Sequence, residues 1–105
     1  MNVKQLLDLT GKVAFITGGS RGLGLQMAEA LGELGAKIAI SARKQHELDA
    51  AKEHLEGQGV EVITIAADLG NLEGIPKVVD QVVQQLGDID ILVNNAGATW
   101  GAPAE

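Results

Sequence analysis

A glycine-rich turn near the amino terminus has the residue types and spacing of an anion-binding site. Residues 17–24 read Thr-Gly-Gly-Ser-Arg-Gly-Leu-Gly, directly after the apolar run at 13–16 and before a helical pattern of apolar residues. Glycine permits the backbone angles and the close approach that a diphosphate-binding turn needs. The helix that follows directs unpaired N–H groups and the positive end of its dipole at the anion. The stretch therefore predicts a dinucleotide pocket.

The spacing of the glycines narrows the kind of site. It reads Gly18-x-x-x-Gly22-x-Gly24, which differs from the strict G-x-G-x-x-G dinucleotide pattern. It is not a P-loop either, because no Gly-Lys-Ser/Thr follows. A glycine-rich turn without a ligand is the alternative, but the strand and helix on either side favour a ligand.

The two arginines of the chain, Arg21 and Arg43, indicate which dinucleotide is bound. An NAD site places a carboxylate at the end of the second strand, whereas the 2′-phosphate of NADP needs a cation there. The second predicted strand runs into Arg43 and Lys44 with no acid, and the planar fork of arginine suits phosphate. We expect both arginines to hold one phosphate, so NADP is predicted, with NAD as the alternative. A solvated Arg43 at a helix start is the other interpretation.

Alternating strands and helices must position these residues. Strands are predicted at 12–17, 37–41, 61–66 and 89–93, and helices at about 22–34, 44–57 and 72–86. This alternation predicts right-handed crossovers and a parallel sheet. The expected fold class is α/β, a Rossmann-like doubly wound sheet with strand order 3-2-1-4 and a ligand crevice where strands 1 and 4 diverge.

Each predicted helix carries an apolar stripe at three-to-four spacing. The stripes are Leu23, Met27, Leu31 and Leu34; Leu48, Ala51 and Leu55; and Ile75, Val79, Val82 and Leu86. Glycines at 35, 57 and 87 are expected to close the last turns in a left-handed conformation. Pro76 falls in the first turn of the third helix, where its missing N–H does little harm.

Two more motifs follow later strands: Asp68-Leu69 after the third, and the run Asn-Asn-Ala-Gly at 94–97 after the fourth. Together with the glycine-rich turn they resemble the cofactor-binding, amino-terminal half of the short-chain dehydrogenase/reductase family, over residues from about 10 to 100. Within that family, the entry Leu-Thr-Gly-Lys at 9–12 is similar to gluconate 5-dehydrogenases and ketoacyl reductases. The chain is thus expected to be the first part, residues 1–105, of a longer dinucleotide-binding domain.

The resemblance, with the electrostatic reasoning for Arg43, gives one set of cofactor-binding residues. The set is Gly18, Ser20, Arg21, Gly22, Leu23, Gly24, Arg43, Asp68, Leu69, Asn94, Ala96 and Gly97. By resemblance, Gly18, Gly22 and Gly24 line the diphosphate, and Ser20 and Arg21 face the adenosine ribose. Asp68 would accept a hydrogen bond from the adenine amino group, beside the backbone N–H of Leu69.

The remaining members of the set follow the fourth strand. By resemblance, Asn94, Ala96 and Gly97 run along the adenosine side of the cofactor. Some of these roles have structural alternatives: Asp68 is also suited to be a helix N-cap or loop carboxylate, and Asn94 and Asn95 to brace strand ends.

The family's catalytic residues have no counterpart in this chain. The resemblance implies a Ser, a Tyr and a Lys, the last two as Tyr-x-x-x-Lys, but the chain contains no tyrosine and its two serines lie in the cofactor half. Two hypotheses follow: part of an oxidoreductase that transfers hydride between NADP(H) and a secondary alcohol or ketone, or a stand-alone nucleotide-binding module without turnover. A methyltransferase is disfavoured because it needs an acid where Arg43 stands.

Composition excludes other classes of site and partner. The formal net charge of −6 argues against nucleic acid and anionic membranes, and the absence of cysteine excludes thiolate chemistry. No metal site is expected, since His46 and His54 lie about two turns apart on one helix. Asp88 and Asp90 are interpreted as a polar strand entry. Trp100 either lines a substrate entrance or is buried by other parts of the protein.

The sequence also suggests where the protein acts and how it associates. No signal-like segment or apolar stretch of membrane-spanning length is present, so a cytoplasmic location is the default expectation. The apolar fourth strand, Ile89 to Val93, is expected to pair with further sheet or with another copy of the chain. A homo-oligomer acting on a small alcohol or ketone is therefore expected.

Overall fold

The computed structural model describes residues 8–18, 20–68 and 74–95. They form a parallel sheet whose strands alternate with helices. The elements in chain order are β1 (Val13–Thr17), α1 (Gly22–Glu33), β2 (Lys37–Ala42), α2 (Gln45–Gly57), β3 (Val62–Ala66), α3 (Ile75–Leu86) and β4 (Ile91–Asn94). The strand order is β3-β2-β1-β4. The predicted alternation and order are both confirmed.

The strand register brings the predicted ligand-binding segments to one edge of the sheet. Thr17, the last residue of β1, pairs with Ser41 of β2 and with Asn94 of β4. Because all strands run parallel, the segments that follow β1, β2 and β4 leave the sheet side by side. The carboxyl end of β1 is therefore the edge at which the ligand crevice is predicted.

Each face of the sheet has its own core. Strand β1 is buried along its whole length, so its side chains alternate between the two cores. One core, on the side of α1 and α2, contains Ala14, Ile16, Ala28, Ala36, Ile38, Ile40, Leu48, Ala51, Leu55, Val60 and Val62. The other, under α3, contains Val13, Phe15, Ala39, Ile65, Val78, Val82 and Leu86. Aliphatic side chains supply almost all of this packing.

The apolar stripe predicted for the first helix, α1, is wrong at Leu23. That side chain is 64% exposed, and the buried residues of α1 are Gly24 and Ala28. Leu25 and Leu31 contribute partly buried side chains to the same core. Small residues let α1 lie close to the sheet, and Leu23, in the first turn, faces outward.

The end of α2 also differs from the prediction. Gly57 is its last helical residue, and the positive φ is taken by Gly59, at 82°. The N–H of Gly59 donates to the carbonyl of Glu56, and the N–H of Val60 donates to that of Leu55. This is a Schellman motif, and burial of both Val60 and Leu55 fixes its position. At the ends of α1 and α3, Gly35 and Gly87 do have positive φ, as predicted.

Strand β4 begins two residues later than predicted because Asp90 engages the start of β1. The N–H of Asp90 donates to the carbonyl of Val13 over 2.9 Å. One carboxylate oxygen of Asp90 accepts the N–H of Val13, also at 2.9 Å. Asp90 thus braces the two strands, in keeping with its interpretation as a polar strand entry.

None of the helices within the described ranges is both long and apolar enough to cross a membrane.

Neighbouring valines of α3 test the assignment of the second core. Val82 is fully buried, whereas Val83 is 37% exposed. We expect Val82→Ala to lower the free energy of unfolding by about 2 kcal/mol more than Val83→Ala, because helix propensity changes equally in both. Urea unfolding of the full-length protein measures the difference, and equal losses would contradict this core.

Candidate functional site

The hydroxyl of Thr17 ties the carboxyl end of β1 to that of β4. Its oxygen accepts the backbone N–H of Asn95 over 3.0 Å. Its proton lies within reach of two acceptors, the Asn94 side-chain oxygen at 3.1 Å and the Val93 carbonyl at 3.3 Å. Thr17 is 6% exposed. This buried group fixes the edge from which the glycine-rich turn leaves the sheet.

Asn95 holds the turn from the other side. Its side-chain amide donates to the carbonyl of Gly18 over 3.1 Å, and the Gly18 N–H donates to the carbonyl of Ser41 over 2.8 Å. Gly18 is therefore fixed between β2 and β4. The structure thus gives both asparagines a bracing role, one of the alternatives considered above.

The turn uses glycine for two distinct reasons. Gly18 and Gly22 have φ of 69° and 60°, values that favour glycine. Gly24 has no such angle but has no room for a side chain: a Cβ there would clash with the Gly18 carbonyl oxygen and lie 2.9 Å from the Asn95 amide nitrogen. Helix α1 therefore begins in direct contact with the turn.

The amino terminus of α1 has two properties that favour an anion. Its N-cap residue, Arg21, has extended backbone and makes no side-chain capping bond, and the first turn, all of it within the described residues, contains no acid. The first N–H groups of any α-helix lack partners inside the helix. Together with the dipole, these groups favour negative charge at the end of β1.

A carboxylate that sequence reasoning missed lies beside this turn. Glu47, in the first turn of α2, accepts a hydrogen bond from the Ser20 hydroxyl over 3.3 Å. Its other oxygen lies 3.7 Å from a guanidinium nitrogen of Arg21. A glutamate at the third position of a helix is a recognisable sequence signal, but its reach to another loop depends on tertiary structure.

The two arginines are placed differently. Arg21 is paired with Glu47, and its side chain is 80% exposed. Arg43 lies just beyond β2, is exposed, and precedes Lys44, the N-cap of α2. The first turn of α2 places Glu47 against the glycine-rich turn, and Arg43 and Lys44 precede this helix in the chain. The sequence predicted a site role for the two arginines but not for Glu47.

For the other predicted site residues, the structure gives a position in the fold, or they lie outside the described range. Asp68 lies two residues beyond β3 and is exposed. Asn94 is the last residue of β4 and is also exposed. Leu69, Ala96 and Gly97, and with them Trp100, lie outside the described residues.

His54 of α2 has an ordinary surface role. His54 lies with its Nε2 atom 3.1 Å from Glu29 of α1, and Gln58 donates to the other oxygen of Glu29 over 3.2 Å. The Gln58 hydrogen bond, followed by that with His54, lowers the pKa of Glu29 from its ordinary 4.5. No cluster of three His, Cys, Asp or Glu suited to a metal exists in the described part of the chain.

The chain is similar to known sequences and solved structures. A sequence model of the short chain dehydrogenase family matches residues 12–105. Gluconate 5-dehydrogenase of Gluconobacter oxydans is 35% identical over 105 residues, which are 100% of this chain and 41% of that enzyme.

Two solved structures of similar proteins contain a bound cofactor. L-Sorbose reductase of Gluconobacter frateurii, in complex with NADPH and L-sorbose, matches with 43% identity and a TM-score of 0.82 over 87% of this chain and 35% of its own. A metagenomic short-chain oxidoreductase in complex with NADP matches with 35% identity and a TM-score of 0.76, over 81% and 38%. The chain therefore spans roughly two fifths of the length of these three proteins.

Gly24→Ala tests the contact between α1 and the turn. The added Cβ has no space, so we expect a loss of about 1–3 kcal/mol in the free energy of unfolding. Gly57→Ala is the matched control, since a Cβ there meets nothing within 4 Å and alanine favours the helix. Chemical unfolding compares the two, and equal stability would refute the tight contact.

Glu29 provides a test by titration. We expect Gln58→Ala to raise the pKa of Glu29 toward its ordinary value, because the largest stabilising hydrogen bond of the carboxylate is lost. Carboxyl NMR titration measures this, with Gln81→Ala, an exposed glutamine of α3, as the control. The folded-state pKa is depressed, so the contribution to stability is present above pH 4.5 and disappears as pH falls through the folded pKa. An unchanged pKa in Gln58→Ala would contradict the contact.

Proposed function

The chain belongs to the short-chain dehydrogenase family, and we propose that it forms the NADP-binding part of an oxidoreductase. The reaction is hydride transfer between NADP(H) and a secondary alcohol or ketone. One observation carries the proposal. The turn that contains Gly18 and Gly22, both with positive φ, leads from the carboxyl edge of a parallel sheet into α1, whose amino terminus has no side-chain cap. Diphosphates bind at this place in doubly wound folds.

The residues described above fit such a cofactor. Gly18 and Gly22 supply backbone without a side chain, and α1 supplies N–H groups and a positive dipole end. Arg21 supplies positive charge before α1, and Arg43 and Lys44 supply it between β2 and α2. The similar sorbose reductase was solved with NADPH and a similar oxidoreductase with NADP, which supports NADP over NAD. The second strand of this chain also ends without an acid.

Each site residue has a role in this proposal. Gly18, Gly22 and Gly24 line the diphosphate, and Ser20 with Arg21 faces the adenosine ribose. Asp68 and Asn94 serve the adenosine side, together with Leu69, Ala96 and Gly97 from outside the described residues. Leu23, exposed in the first turn of α1, contributes its backbone N–H.

The cofactor, when bound, supplies the hydride donor or acceptor, and this chain binds and orients it. The charged groups at the ends of α1 and β2 hold the adenosine half, and the Thr17 and Asn95 hydrogen bonds keep the turn in place. Because the chain has no tyrosine, we assign proton transfer to the part of the protein that corresponds to the remaining length of the relatives. A stand-alone module without turnover is not favoured, since the relatives named above are dehydrogenases and reductases.

Cellular location and assembly are part of the same proposal. We place the protein in the cytoplasm, where NADP(H) is available to it. We also propose a homo-oligomer, supported by the apolar side chains of β4, of which Leu92 is 64% exposed. Light scattering of the full-length protein tests the oligomer, and a monomer at all concentrations would contradict it.

Fluorescence titration with NADPH and NADH tests the proposed function directly. Saturable binding of NADPH, tighter than that of NADH, is the expected result. The cofactor site is wrong if neither nucleotide binds to folded protein.

Arg43→Asp tests the choice of cofactor. We expect the dissociation constant for NADPH to rise by about tenfold or more, because a charge-assisted contact to the 2′-phosphate is replaced by repulsion. Binding of NADH should be retained. Lys52→Asp makes the same charge change within α2, away from the end of β2. It should leave the ratio of the dissociation constants for NADPH and NADH unaltered. An unchanged ratio in Arg43→Asp would remove that residue from the phosphate site.

A further inference from the structure

Glu47 is a partly buried acid that contacts one cation, Arg21. Its side chain is 21% exposed, whereas that of its partner Arg21 is 80% exposed. The contact with Ser20, a residue that is 8% exposed, holds one carboxylate oxygen against the turn. The amino-terminal dipole of α2 also favours negative charge in this first turn. Glu47 is therefore anchored more firmly than Arg21.

The ion pair itself is weak. At 3.7 Å, with an exposed guanidinium, it belongs to the class of surface pairs that contribute about 1 kcal/mol or less. A phosphate monoester carries roughly −1.5 to −2 charges near pH 7 and accepts bidentate hydrogen bonds from arginine. A 2′-phosphate beside Arg21 would therefore offer it stronger hydrogen bonds than the 3.7 Å contact with Glu47 does.

We propose that Glu47 is a selectivity-determining residue whose carboxylate opposes the 2′-phosphate of NADP(H) and so limits the preference of this site for NADP(H) over NAD(H). This inference rests on the proposed NADP-binding function. The carboxylate neutralises part of the positive charge of Arg21 and repels a second anion at the same place. The 2′-hydroxyl of NAD(H) experiences no such repulsion, and it is the group that carboxylates bind in NAD sites.

Glu47→Gln removes the charge while an amide oxygen can still accept the Ser20 hydroxyl. In the full-length protein we expect the dissociation constant for NADPH to fall by a factor of about two to five, the size that a partly exposed charge pair supports. The constant for NADH should stay the same or rise. The difference between wild type and variant for NADPH should shrink as salt is added, because the effect is electrostatic.

Glu53→Gln is the matched control. It makes the same charge change on the same helix at an exposed position, and it should leave the ratio of the two dissociation constants unchanged. Glu47→Ala is a second variant, which also loses the Ser20 contact. It should show the same shift in the ratio even where both affinities fall.

Different outcomes distinguish failure of the role of Glu47 from failure of the proposed NADP-binding function. If wild type binds neither nucleotide, the proposed function fails. If wild type binds NADPH but Glu47→Gln and Glu47→Ala leave the ratio unchanged, or shift it toward NADH, the role of Glu47 is overturned. A shift of equal size in Glu53→Gln would equally overturn it, because the effect would then reflect net charge alone.

Discussion

The close contact of helix α1 with the end of strand β1 constrains the rest of this structure. Gly24 lies so near the Gly18 carbonyl and the Asn95 amide that no side chain fits between them. This contact brings the amino terminus of α1 to the edge where β1 and β4 end, and the Thr17 and Asn95 hydrogen bonds maintain it. Small residues on α1, Gly24 and Ala28, make the approach possible. The position of the proposed anion site is thus a consequence of packing.

Local electrostatics then act within an acidic molecule. A chain of net charge −6 does not attract anions through its overall field, so the dipole of α1 and a few cations must provide the attraction at short range. In our proposal Glu47 reduces that attraction, and its hydrogen bond with Ser20 anchors the turn at the same time. One carboxylate therefore affects both the geometry and the charge of the site. Glu47→Gln separates the two effects, because it removes the charge and keeps an oxygen that can accept the Ser20 hydroxyl.

Most of the fold could be predicted because its signals are local or periodic. Aliphatic runs and three-to-four spacing identified every described strand and helix, and the parallel alternation gave the strand order. The failures occurred where several local choices satisfied the pattern. Leu23 continued an apolar stripe, yet the approach of α1 left it outside the core. Either Gly57 or Gly59 was able to end α2, and burial of Val60 beside Leu55 selected Gly59.

The sequence alone determined the chemistry that the site offers: glycines where backbone must bend or approach, a helix start without an acid, and arginines after two strands. Those properties depend on residue type and short spacing, which a single sequence contains. Only the tertiary structure decided that Glu47 faces Ser20 and Arg21 and that Asn95 holds Gly18. These partners come from segments far apart in the chain, and their meeting is fixed by strand register and by helix packing on the sheet.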